Sequence, residues 1–203
     1  FLFFLGLGFF YYKFLNSKKD FQNFIKVEII LSIIGPLGFF FIIYLNSYQV
    51  SLYTSWLYSG VLLVLSHIPV ALVGFLSGLE IPLLSGILST EKKSFSQVLG
   101  FDYLGSLVGT LIYALYFYPH QGLIFTVVFL GLVNILAAGA FITYFKLYGK
   151  KIFLTILTIL IIIIYVFSMI NHAGINESAQ DMYFKSVLNK KFSIVEGSER
   201  DVE

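Results

Sequence analysis

The sequence predicts an all-α protein, a polytopic transmembrane helical bundle of about six helices with a short polar C-terminal tail. Three observations carry that reading. The 203-residue chain is 58% hydrophobic and only 12% charged, where a soluble domain carries about 25% charged residues. Its mean hydropathy is +0.89. Its apolar residues also fall into runs of about 20, the length of helix that crosses roughly 30 Å of hydrocarbon.

The spans follow in order. Residues 1–15, FLFFLGLGFFYYKFL, are apolar from Phe1 onward. They lack the basic start and small-residue cleavage site of a signal peptide, so they read as a truncated helix whose beginning lies upstream. Further helices are expected at 27–45, 56–88, 97–118, 122–145 and 152–170. The 56–88 stretch is too long for one straight crossing and contains Pro69 and Pro82. Proline removes a backbone hydrogen bond and kinks a helix, which divides the stretch into a kinked crossing near 56–79 and a short segment through Pro82 to Leu88. Residues 1–170 therefore form a transmembrane domain. Residues 171–203 differ in kind: Asn176–Asp181 is polar, and Lys191-Phe192-Ser193-Ile194-Val195 alternates like a first strand. They read as a linker and the start of a soluble domain.

Loop charge orients the bundle. Lys13, Lys18, Lys19 and Lys26 flank the first loop, Lys92 and Lys93 lie in the third, and Lys146, Lys150 and Lys151 in the fifth. Loops 46–55 and 119–121 contain no Lys or Arg. The positive-inside rule places the lysine loops in the cytoplasm. Tyr44, Tyr48, Tyr53, Trp56, Tyr58, Tyr116 and Tyr118 gather at the opposite ends, where amphipathic rings favour the headgroup layer. The localisation expected is a bacterial inner membrane, crossed several times, with the lipid bilayer as the main partner.

Composition also excludes classes of function. A formal charge of +2 with no basic patch argues against nucleic acid. There is no cysteine, hence no disulfide framework, thiolate metal site or thiol nucleophile. His67, His120 and His172 are scattered, so no metal site is expected. Gly6-Leu7-Gly8 is a GxG inside an apolar helix with no preceding strand, which fails the context of a nucleotide-binding turn.

Two acids, Glu80 and Asp102, sit inside apolar segments. A charge in hydrocarbon is costly, and intramembrane acids face a protein interior or a wet cavity. Asp102, Gly105, Ser106 and Gly109 share one helix face. Gly105 and Gly109 make a GxxxG, as do Gly74 and Gly78 on the preceding helix, and small residues at this spacing let helices approach closely in lipid. The expectation is that these two stripes pack together and bring Glu80 and Asp102 into one polar cleft with Tyr103 and His67. The competing readings are structural: Glu80 as an anchor near the helix end, Asp102 as a helix-start residue, and His67 bonded to a carbonyl freed by Pro69. Asn134, alone in its helix, is expected to be an interhelical hydrogen-bond partner.

Residues 78–122 carry a resemblance. Leu79-Glu80-Ile81-Pro82-Leu83-Leu84, Phe101-Asp102-Tyr103-Leu104-Gly105 and Pro119-His120-Gln121-Gly122-Leu123 resemble the membrane domain that precedes the catalytic domain in membrane-bound bacterial spermidine synthase-like proteins, the polyamine aminopropyltransferases. The resemblance implies a transferase moving an aminopropyl group from decarboxylated S-adenosylmethionine, its co-substrate, to putrescine. It also implies a polyamine as the ligand to test. The Rossmann-like domain that performs such a transfer would follow this chain, so the chain alone is expected to need no cofactor and to be inactive. A small transporter or channel component for a cationic solute is the alternative. Strict alternation from the lysine loops places residue 171 outside the cytoplasm, whereas decarboxylated S-adenosylmethionine is expected inside. Either the 56–88 or the 152–170 segment does not cross, or the soluble part lies outside.

Overall fold

The computed structural model describes residues 1–15, 19–51, 56–89, 95–144, 152–171 and 174–175. Six α-helices follow one another among them: α1 (Leu2–Tyr11), α2 (Asp20–Ser51), α3 (Trp56–Ser89), α4 (Phe95–Ile112), α5 (Gly122–Tyr144) and α6 (Ile152–Ile170). A short 3₁₀ turn, Tyr12–Phe14, extends α1, and a π-helical segment, Tyr113–Gln121, links α4 to α5. Among the described residues there is no strand. The tail expected over 176–203, with its first strand, lies outside the described residues, as do His172, Lys92 and Lys93.

Four apolar stretches are long enough to cross a membrane: Asp20–Leu45, Gly60–Leu88, Phe95–Tyr144 and Ile152–Ile170. Leu2–Phe14 is apolar but shorter. Side chains such as Leu63, Phe101, Leu107, Leu115 and Phe167 stand exposed on these helices, an apolar surface compatible with a bilayer around it.

α2 is the centre of the bundle. One of its faces joins Phe24, Val27 and Leu31 to Leu79, Leu83 and Ile87 of α3. Another joins Ile25 and Ile29 to Val128, Ile135 and Ala138 of α5 and Ile161 and Tyr165 of α6. Phe24 and Phe141 bridge the two clusters with ring centroids 4.5 Å apart. α1 packs on α3, α6 packs on α5 and reaches α2 through Tyr165, and α4 contacts α3 and the π-helical segment.

Three departures from the sequence reading have physical causes. First, α2 begins at Asp20 rather than near residue 27. Phe21, Phe24 and Ile25 recur at helical spacing and carry the apolar face through a run that looks polar in one dimension. Second, α3 is one helix through both prolines, not a crossing plus a separate segment. Proline is tolerated in spanning helices where neighbours re-satisfy the freed groups. Third, α4 ends at Ile112 rather than near residue 118 and a π-helical segment carries the chain on to Gly122, where α5 starts as expected, at φ 78° and ψ 174°, a region open essentially to glycine alone. The bend lets Phe117 fold back onto Phe129, at 4.8 Å between centroids.

Candidate functional site

α3 and α5 both pack on α2, and the wedge between them is a cavity of about 300 Å³. Helical spacing puts its lining on one face of each helix. Val73, Ser77 and Glu80 fall at i, i+4 and i+7 on α3, and Val127, Gly131 and Asn134 do the same on α5. Leu31, Gly35 and Phe39 line it from α2 at i, i+4 and i+8. The walls are apolar, and the polar side chains among the lining are Glu80, Ser77 and Asn134.

The α2 wall is held by a hydrogen bond that the sequence makes necessary. Pro36 has no N–H, so the Ser32 carbonyl, its i−4 partner, loses its helical donor. The Tyr165 hydroxyl of α6 donates to that carbonyl. Gly131 makes room for the arrangement: a Cβ there would stand 2.6 Å from the Tyr165 hydroxyl and 2.8 Å from Pro36 Cγ.

Glu80 is the predicted acid that reaches the cavity. Asp102 is exposed on α4 and is not part of the lining. It lies within Coulombic range of Glu80, as does Glu28 of α2. Tyr103 is exposed beside it. His67 is exposed as well, and its Nδ1 lies 2.7 Å from the carbonyl of Leu63, its own i−4 residue, rather than from the Leu65 carbonyl that Pro69 frees. The cleft expected from Glu80, Asp102, Tyr103 and His67 is therefore not one cavity.

The glycine stripes explain why. Gly74 and Gly78 are packed, but against α1. A Cβ at Gly78 would collide with the Leu5 carbonyl, one at Gly8 with the Phe75 carbonyl, and one at Gly74 would stand 2.9 Å from the Phe1 carbonyl. A Cβ added at Gly105 or Gly109 would meet nothing within 4 Å. Gly8, from the GxG that fails as a nucleotide turn, thus serves the α1–α3 crossing, and the stripe on α4 stands open.

Sequence reasoning missed Glu28 and Ser77. Glu28 is only 7% exposed. A helix expected to start at residue 27 makes Glu28 a terminal residue, whereas the true start at Asp20 places it two turns inside. Ser77 was readable, since Val73, Ser77 and Glu80 form a helical face. Among the described residues no group of three His, Cys, Asp or Glu side chains is placed to hold a metal ion.

No family model matches the chain, and no solved structure matches it. Curated relatives do. A polyamine aminopropyltransferase of Leptospira interrogans is 32% identical over 138 residues, 66% of this chain and 26% of that protein. Polyamine aminopropyltransferase 2 of Aquifex aeolicus is 30% identical over 168 residues, 81% of this chain and 32% of that protein. A polyamine aminopropyltransferase of Mycobacterium tuberculosis is 33% identical over 128 residues, 57% of this chain and 22% of that protein. The chain is thus distantly related to spermidine synthase-like proteins, and it spans no more than about a third of the length of these relatives.

Proposed function

We propose that this chain is the membrane-embedded domain of a spermidine synthase-like aminopropyltransferase, seated as a multi-pass bundle in a bacterial inner membrane. Its role is to anchor the enzyme. Transfer of the aminopropyl group from decarboxylated S-adenosylmethionine to putrescine belongs to a further, Rossmann-like domain of the same protein. The observation that supports this is the similarity of an apolar helical segment to about a quarter of proteins named for that activity. The same names weigh against the small-transporter alternative.

The full reading frame containing this chain provides the test. Expressed in a bacterial strain that makes no spermidine, the full-length protein is expected in the carbonate-washed membrane fraction and is expected to convert labelled putrescine to spermidine. A full-length protein that is membrane-bound but transfers no aminopropyl group overturns the reading. A reporter fused after Ile170 addresses the compartment. The proposed co-substrate requires a cytoplasmic signal, and a periplasmic one rules decarboxylated S-adenosylmethionine out.

A further inference from the structure

We propose that Glu28 and Glu80 share one exchangeable proton, taken up through the cavity between α2, α3 and α5, so that the bundle holds a proton-binding site in its interior. The inference rests on the membrane seat proposed above and is independent of the transfer chemistry. It goes beyond an anchor, since a tether needs no ionisable group inside it.

Helical rise puts three acids at one level. α2 begins at Asp20, α3 finishes at Ser89 and α4 begins at Phe95, and Asp20 packs against Gly86, so these termini share one end of the bundle. At 1.5 Å per residue, Glu28, Glu80 and Asp102 each lie roughly 10–14 Å in from that end. Glu28 is buried and Asp102 exposed, and both act electrostatically on Glu80. Among the described residues, no opposite charge and no hydrogen-bond donor acts on Glu28 or Glu80. α5 brings only the uncharged Asn134 to the cavity, and the Tyr165 hydroxyl of α6 is engaged by the Ser32 carbonyl. Two carboxylates that share an apolar site do not both ionise, because desolvation and mutual repulsion leave a proton on one of them.

The cavity supplies a route and separates a proton from a metal ion. It rises from Glu80 past Ser77 and Val73 on α3, and past Gly35 and Phe39 on α2, away from the end where the acids lie. The Ser77 hydroxyl and the Asn134 amide each donate and accept hydrogen bonds, which suits them to hold water on the way to Glu80. A volume of about 300 Å³ has room for several waters at about 30 Å³ each. A hard metal cation demands about six oxygen ligands. The walls here are mostly apolar, and no group of three His, Cys, Asp or Glu side chains is placed to hold a metal among the described residues. A proton needs one oxygen, which Glu80 provides.

Carbodiimide labelling of the full-length protein in native membranes tests the proposal. Dicyclohexylcarbodiimide enters apolar sites and adds to a protonated carboxyl. The acid proton moves to one nitrogen, the carboxyl oxygen bonds the central carbon, and acyl migration to the other nitrogen gives a stable N-acylurea with no group lost. Peptide mass spectrometry locates the adduct. Glu80 is expected to carry it, with a yield that falls at least ~3-fold from about pH 6 to about pH 9 as the shared proton is lost. Glu28→Gln removes the neighbouring charge and is expected to lower the Glu80 yield at about pH 8 by at least ~2-fold. Absence of an adduct on Glu80 and Glu28 at every pH overturns the proposal. So does a yield indifferent to pH, one that Glu28→Gln leaves unchanged, or one that excess sodium chloride suppresses relative to choline chloride, which assigns the site to a metal cation. The wild-type arms decide alone should the Glu28→Gln protein not reach the membrane. An inactive transferase that takes the label leaves this site standing, and an active, membrane-bound one that does not take it sinks the site alone. Absence of the protein from the membrane fraction overturns the anchor reading instead.

Discussion

Tyr165 shows how one side chain repairs what another breaks. Pro36 orphans the Ser32 carbonyl in the middle of α2, and the Tyr165 hydroxyl supplies the missing donor from α6. An unsatisfied buried acceptor costs about 1–3 kcal/mol, so Tyr165→Phe is expected to destabilise the bundle by about that amount in denaturant titrations of the reconstituted protein. In a Pro36→Ala background the helix regains its own i−4 bond. There the Tyr165→Phe penalty is expected to fall below about 1 kcal/mol, and a double-mutant cycle reads the coupling directly. An unchanged penalty in both backgrounds contradicts the repair. At the same scale, Pro36 and Tyr165 are each visible in the sequence, but their pairing joins residues far apart in the chain and no local pattern announces it.

Among the elements, α1 and α3 cross with glycines at the contact, while α4 packs sparsely on its neighbours. Gly8 and Gly78 face opposing backbone carbonyls so tightly that no Cβ fits. Overpacking such a contact costs about 1–3 kcal/mol, which is the expected loss for Gly78→Leu. Gly105→Leu and Gly109→Leu, on the open face of α4, are expected to change stability by no more than about 0.5 kcal/mol. Thermal unfolding in detergent distinguishes these cases, and a larger loss at Gly105 than at Gly78 reverses the assignment. The bend at Gly122 makes a third prediction. Its φ of 78° with ψ of 174° strains any side chain, so Gly122→Ala is expected to lose about 1–3 kcal/mol. A fall in protection of the Phe117–Phe129 contact region to hydrogen exchange would accompany it.

For the whole molecule, the order α1, α3, α2, α5, α6 across the bundle creates the wedge that becomes the cavity. The alternation of lysine-bearing and lysine-free loops predicts that reporters inserted at 119–121 and 146–151 lie on opposite sides of the membrane, external and cytoplasmic respectively. Protease protection or reporter activity in intact cells checks this. Signals from the same side at both positions mean that α5 does not cross.

The all-helical class and the segments 122–145 and 152–170 were legible in the chain because hydrocarbon demands long apolar helices whose backbone bonds are satisfied internally. Glu80 was legible for the same reason, as a charge where charges are expensive. The GxxxG motifs identified close-packing surfaces at Gly74 and Gly78 but not their partner, since small residues permit an approach from any helix that offers a matching ridge. Only the tertiary structure decided that α1 occupies that face, leaving α4 open and Asp102 outside the cavity. It likewise decided that Ser77 and Asn134 join Glu80, with Glu28 close by, because a cavity arises where two helices diverge from a third. That divergence is set by the packing of whole faces, which no single helix encodes.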